Sequence, residues 1–182
     1  MGHELEHESP ADILGFWREA GPQRWFSRDA AFDARFEARF RQAHFAAARR
    51  ELDAWADTAD GALALLLLLD QFPRNVFRGT GHAYATDPLA RMFATRMVEH
   101  GLDRQVDPAL RTFCYLPFMH SEALADQERC VALLQAHGDP KWALHHRDLI
   151  RRFGRFPHRN AALGRASTPE EQAYLDEGGF GG

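Results

Sequence analysis

Apolar residues recur along this chain at three- and four-residue spacing, and the recurrences lie between residues that start and stop helices. Ser9 followed by Pro10 reads as an N-cap and first helical position, and Gly21-Pro22 closes the short helix they open. Ser27 or Asp29 opens a longer one, in which Phe32, Phe36 and Phe40 form a stripe that Ala43 and Ala47 extend. Thr58 caps a third, whose Leu63 and Leu65 to Leu69 leave no polar face, the pattern of a helix surrounded by its neighbours. Pro73 is its expected stop.

Asp87-Pro88 starts a fourth helix with Leu89, Met92, Phe93 and Met97 on one side and Gly101 at its end, and Asp107-Pro108 starts a short fifth. Ser121 caps a sixth that runs to about His137 before Gly138. Asp139-Pro140 caps a seventh that runs to Phe153 before Gly154. Thr168-Pro169-Glu170-Glu171 is a capping box for the last. No stretch shows sustained alternation of apolar and polar residues, so the pattern predicts an all-α array of about seven or eight antiparallel helices. The starts near residues 29, 58 and 87 are evenly spaced, as in stacked helical hairpins, although the Trp, Gly, Tyr and Pro signature of tetratricopeptide repeats is absent.

A length of 182 residues, nearly half of them apolar, suits a single domain over 1–182 with one core. Residues 1–9 and 178–182 are expected to be mobile tails. A formal charge of −4 disfavours nucleic acid as a partner. No apolar run is long enough to span a membrane, and the acidic, His-rich stretch Met1 to Pro10 is no secretory signal. Cys114 and Cys130 form no CxxC and read as core thiols of a reducing compartment, which places the chain in the cytoplasm.

The polar chemistry gathers in two similar segments. The first runs Asp70-Gln71-Phe72-Pro73-Arg74-Asn75 and on to Arg78. A carboxylate at a helix C-terminus meets the negative end of the macrodipole, so Asp70 needs a cation, which Arg74, Arg78 or a distant Arg must supply. The second, around Arg155-Phe156-Pro157-His158-Arg159-Asn160, sits in the stretch 151–165, with five Arg and no acid. Such a stretch must find carboxylates of its own chain, stay in solvent, or hold an anion. Between the two, helical phasing turns His120, Gln127 and Val131 inward, and Trp142, His146, Leu149, Ile150 and Phe153 form a second inward stripe.

Each feature also has a plain structural account. Arg74 and Asn75 can satisfy the free carbonyls of a helix end. Inward histidines are commonly hydrogen-bonded core residues. Ser121 is an N-cap, and Glu122 answers the helix dipole. His120 and Glu122 could supply two metal ligands with His146, His158 or Asp70, yet no HExxH or Cys-His spacing supports a metal, and no motif calls for a cofactor.

The segments Asp70-Gln71-Phe72-Pro73-Arg74-Asn75, Phe118-Met119-His120-Ser121-Glu122 with Asp126-Gln127, and Arg152 to Asn160 with Leu163-Gly164-Arg165 resemble one bacterial family, the domain-of-unknown-function family nine-two-four. The similarity runs from about Ile13 to Leu175 and includes Phe16-Trp17, Trp25-Phe26, Trp55, Asp87, His146 and Thr168-Pro169-Glu170-Glu171. His82 departs from it, since small residues are usual there. The resemblance implies a tetratricopeptide-like all-α fold and does not imply an activity.

Three functions follow as expectations. In the first, the two Phe-Pro segments and inward His120, Gln127 and His146 line a groove for a small carboxylate or phosphate, with Arg74 and Arg159 as a clamp and Asn75 and Asn160 orienting it. Asp70, Arg78, Glu122, Arg155 and His158 complete that candidate set. In the second, His120 or His146 is a general acid or base in the same pocket. In the third, exposed aromatics among Trp25, Phe26 and Trp55 receive a protein or peptide partner.

Overall fold

The computed structural model describes residues 8–182, and the expected N-terminal tail lies outside them as far as residue 7. The described residues are helical with no strand: α1 Pro10–Ala20, α2 Pro22–Trp25, α3 Ala30–Ala48, α4 Ala59–Leu66, α5 Phe72–Val76, α6 His82–Ala85, α7 Asp87–Glu99, α8 Leu116–Met119, α9 Leu124–His137, α10 Lys141–Phe153 and α11 Pro169–Asp176. None of these helices is long and apolar enough to cross a membrane.

Side-chain caps fix four of the helix starts. Ser9 Oγ accepts the Asp12 N–H while Asp12 answers the Ser9 N–H, and Thr168 and Glu171 repeat the arrangement on α11. Asp29 and Thr58 cap α3 and α4 as the sequence predicts. The Phe32, Phe36 and Phe40 stripe of α3 is buried, with Phe16 of α1 stacked on Phe32 and Phe36. Helix α4 is the centre: Ala62 to Leu69 are all buried, and α1 and α7 pack on it. Its Gly61 permits a close approach, because a Cβ there would stand 2.2 Å from the Trp55 carbonyl oxygen.

The largest departure from the expected boundaries falls at Pro73. The chain does not stop there; it passes through a π turn, Leu67–Gln71, directly into α5. Pro73 brings no N–H, so carbonyls one turn back lose their usual donors. Others take their place: His44 Nδ1 lies 2.8 Å from the Leu68 oxygen, Thr86 Oγ1 2.5 Å from that of Leu69, and Arg74 Nη1 3.0 Å from that of Asp70. The π turn buries two successive polar residues, Asp70 and Gln71, inside an otherwise apolar helix.

Smaller differences have local causes. On α7 the buried side is Ala90, Phe93, Ala94 and Met97, and Met92 is exposed. The expected fifth helix is instead a turn at Asp107 followed by 3-10 turns over Arg111–Cys114. Helix α9 begins at Leu124, after Ser121, whose hydroxyl accepts the Ala123 N–H and donates to Asp126. On α10, Trp142 is exposed although His146, Leu149 and Ile150 of its stripe are buried. A second apolar cluster of Leu149, Ile150 and Phe156 joins Phe153, Tyr174 and Phe180, so the C-terminal stretch, expected to be mobile, places Phe180 against the rings of His146 and His158.

Candidate functional site

The π turn sets the centre of the polar region. Asp70, 2 % exposed, accepts hydrogen bonds from Gln71 Nε2 at 2.7 Å and Arg74 Nη1 at 3.2 Å, and its Oδ1 lies 2.7 Å from His120 Nδ1. Burial alone would raise the Asp70 pKa, but His120, protonated in the acid range where Asp70 titrates, the charge of Arg74 and the hydrogen bonds of His120 and Gln71 together hold it well below the usual carboxylate range. An ionised carboxylate only accepts, so His120 Nδ1 carries the proton and donates. Burial and then Arg74 push the His120 pKa below its ordinary value despite Asp70, which leaves a neutral ring with Nε2 as an acceptor.

His120 lines a cleft of about 350 Å³ with Tyr84, Asp87, Arg91, Ser121, Arg159 and Leu163 among its walls. These residues come from α6, α7, the segment after α8 and the segment after α10. Asp87 joins the two Phe-Pro segments: its carboxylate takes Arg74 through two bonds of 2.7 and 2.9 Å and stands 3.7 Å from Arg159 Nη1. Asp87 is the first residue of α7, as the Asp87-Pro88 pair predicts, and its side chain turns to these arginines.

Arg159 is set differently from the other guanidinium groups here. It lies between the rings of Tyr84 and Phe156, with Cζ 4.7 and 4.5 Å from their centroids. One hydrogen bond, Nη2 to the His120 carbonyl at 2.9 Å, is formed, and its buried Nε has no partner among the described residues. Burial, and then Arg74, push its pKa down to about 10, which still leaves it charged at neutral pH.

Most of the other expected site residues are held in internal pairs. Arg74 donates through Nη1 and Nη2 to the Asp70 carbonyl and to the carboxylates of Asp70 and Asp87, so of the two arginines expected to form a clamp it is held in an internal forked pair. Asn75 donates to Asp33 at 2.7 Å, and Arg78 pairs with Asp33. Glu122 does not serve a helix dipole; it accepts both ends of Arg165, at 2.7 and 2.9 Å, and the Phe156 N–H. Arg155 takes Glu171 in the same forked way, and Asn160 bonds Ser167, Glu171 and Arg165. Gln127 Nε2 donates to the Met119 and Ser121 carbonyls, both at 2.6 Å, and so closes the end of α8. Of the five arginines in 151–165, Arg151, Arg152, Arg155 and Arg165 therefore find carboxylates of their own chain.

Behind His120, its ring lies 6.5 Å from that of His146, which packs against Phe156 and Phe180, and His158 touches the same two rings. His146 Nδ1 donates to the Trp142 carbonyl at 2.8 Å. Burial first, then His120 for His146 and Arg159 for His158, push both pKa values down to about 3, so the pair is neutral at physiological pH. His146 and His158 thus form an uncharged wall behind the cleft, and neither lines it. Among the described residues no cluster of three metal-ligating side chains occurs.

Sequence reasoning missed Tyr84, Arg91 and Leu163 in the cleft and the buried His44. His44 continues the four-residue stripe after Phe40, which is the signal that could have found it. Its Nε2 lies 3.0 Å from Nε2 of His82. Since Nδ1 must donate to the Leu68 carbonyl and burial pushes the ring down to about 4, His82 donates and His44 accepts. Of the three aromatics weighed for a partner surface, Phe26 is exposed, whereas Trp25 and Trp55 pack against the core.

Comparison with known proteins agrees with the fold. The model of a family described as bacterial protein of unknown function (DUF924) matches residues 13–179. A solved structure, that of the protein of unknown function ATU0120 from Agrobacterium tumefaciens, is similar at 58% identity over 92% of this chain and 97% of that one, with a TM-score of 0.90. No match was found among curated proteins.

Proposed function

The chain belongs to the DUF924 family of bacterial proteins, and from that premise we propose that its cleft binds a small anionic ligand at Arg159 beside His120. The observation that carries this reading is the unfilled bonding capacity of Arg159. A guanidinium has five N–H donors, and among the described residues an intramolecular hydrogen bond is formed by Nη2 alone, to the His120 carbonyl, with Asp87 near Nη1 at ion-pair distance. The neighbouring Arg74 and Arg165 show what a structural arginine looks like here, with forked bonds to carboxylates at 2.7 to 2.9 Å.

A second reading rests on a different contact, the 2.7 Å between Asp70 and His120. A buried carboxylate that fixes one imidazole nitrogen leaves the other as a base of set direction, the arrangement used for proton transfer in many active sites. In this reading the ligand is a substrate, His120 removes or returns its proton, and Arg159 stabilises the negative charge that develops.

Titration of the ¹⁵N-labelled protein with acetate and inorganic phosphate at low ionic strength tests the binding claim. Resonances of His120, Ser121 and the Arg159 Nε–H should shift together and saturably, and Arg159→Leu should weaken binding by roughly tenfold or more, the value of one hydrogen bond to a charged group. An absence of shifts at the cleft in the unmodified protein at tens of millimolar anion would sink the reading without recourse to any variant.

A further inference from the structure

We infer that the cleft takes a monocarboxylate with an apolar body, rather than phosphate or a dicarboxylate; this rests on the binding reading above. The charges in and behind the cleft cancel. Arg74 and Arg159 face Asp70 and Asp87. Arg91 faces Asp126 at 3.3 Å, and Arg165 faces Glu122 at 2.7 Å. Four cations meet four anions, so with His120 neutral the cleft and its supports carry no net charge.

A bound anion therefore adds a charge that one group can offset. His120 has a free Nε2, and its protonation would be supported by Asp70 on its other side. The groups packed behind it, His146 of α10 and His158, are neutral and offer no second proton store at this pH. One proton on His120 balances one negative charge. A dianion would leave its second charge beside Asp87 and Glu122, which like-charge repulsion disfavours.

The walls supply the other half. Pro88, Ala123, Leu163 and the ring of Tyr84 line the same cleft, and Leu163 is 39 % exposed with no core role. A ligand with its carboxylate at Arg159 and His120 would lay a hydrocarbon body on these surfaces, and removal of that body from water adds affinity with each methylene.

Isothermal titration at pH 7.5 with hexanoate, phenylacetate, acetate, succinate and inorganic phosphate tests the inference, run in both Tris and triethanolamine so that proton uptake is read from the difference in heats. Hexanoate and phenylacetate should bind roughly tenfold or more tighter than acetate, succinate and phosphate, and hexanoate should take up about one proton per site. Leu163→Ser, a change at an exposed position, should remove most of the preference for hexanoate over acetate. Phosphate or succinate binding as tightly as hexanoate would overturn the inference and leave the anion site standing. Equal affinity for acetate and hexanoate, or hexanoate binding without proton uptake, would overturn it too. If none of the five binds, both readings fall.

Discussion

Replacing Asp87 with Asn should lower the unfolding free energy by about 3 kcal/mol, near the lower end of the range for breaking a buried ion pair from one side. The carboxylate binds Arg74 at 2.7 and 2.9 Å and stands 3.7 Å from Arg159, and both guanidinium groups are largely buried. Asparagine keeps the shape and one acceptor oxygen but removes the charge. Arg74 would retain Asp70, which limits the loss, whereas Arg159 would lose the one carboxylate that stands at ion-pair distance from it among the described residues. In a chain of this length the change should appear as a fall in Tm of roughly 6–12 °C. Adding Arg159→Met should recover part of the loss, since the unpaired cation then disappears, and the non-additivity of the pair measures their coupling. An unchanged urea midpoint in Asp87→Asn would show that Asp87 is not the joint between the two segments.

The second large effect is expected at Glu171. This side chain is 2 % exposed and ties down four groups: both ends of Arg155 at 2.7 and 2.8 Å, Asn160 Nδ2 at 3.1 Å and the Thr168 N–H at 2.8 Å. Glu171→Ala removes the capping box of α11 and leaves the buried Asn160 amide short of an acceptor. Arg155 is partly exposed and can turn to water, so the cost should be about 2–4 kcal/mol, made up of the cap and the charged hydrogen bonds. Urea unfolding should show the loss as a lower midpoint at unchanged slope. A midpoint within about 0.5 kcal/mol of the parent would mean that Asn160 and Arg165 hold the segment without it.

These two carboxylates show where the sequence was legible and where it was not. Helix starts at Ser9, Asp29, Thr58 and Thr168 could be read because a cap is a local device, complete within four residues. Glu171 was read as the fourth member of such a device, and that part is correct. Its bonds to Arg155 and Asn160 join residues 11 to 16 positions away across a turn, which no local spacing encodes. The need of Asp70 for a cation followed from the dipole argument, and Arg74 supplies one. The premise behind it failed, because the chain runs through Pro73 on a π turn whose freed carbonyls are satisfied from α3 and the start of α7.

The site was half legible for the same reason. Helical phasing puts His120 on one inward stripe with Gln127, but His120 lies just past the end of α8, outside α9, where it lines the cleft, and Gln127 closes that helix end. The similarity of the two Phe-Pro segments is real in space only through Arg74 and Arg159, which meet at Asp87. Asn75 and Asn160 point into separate ion-pair clusters. Tyr84, on the four-residue α6, and Leu163, in the segment after α10, show their role only once the chain has brought their neighbours together.

The account turns on one imidazole, and long-range ¹H–¹⁵N correlation spectra of the histidine rings examine it directly. At pH 7.5 His120 should be neutral, with its proton on Nδ1 toward Asp70 and a bare Nε2 at the cleft, and saturation with hexanoate should convert it to the imidazolium. A ring that carries its proton on Nε2, or that stays neutral while hexanoate saturates the protein, would contradict the account.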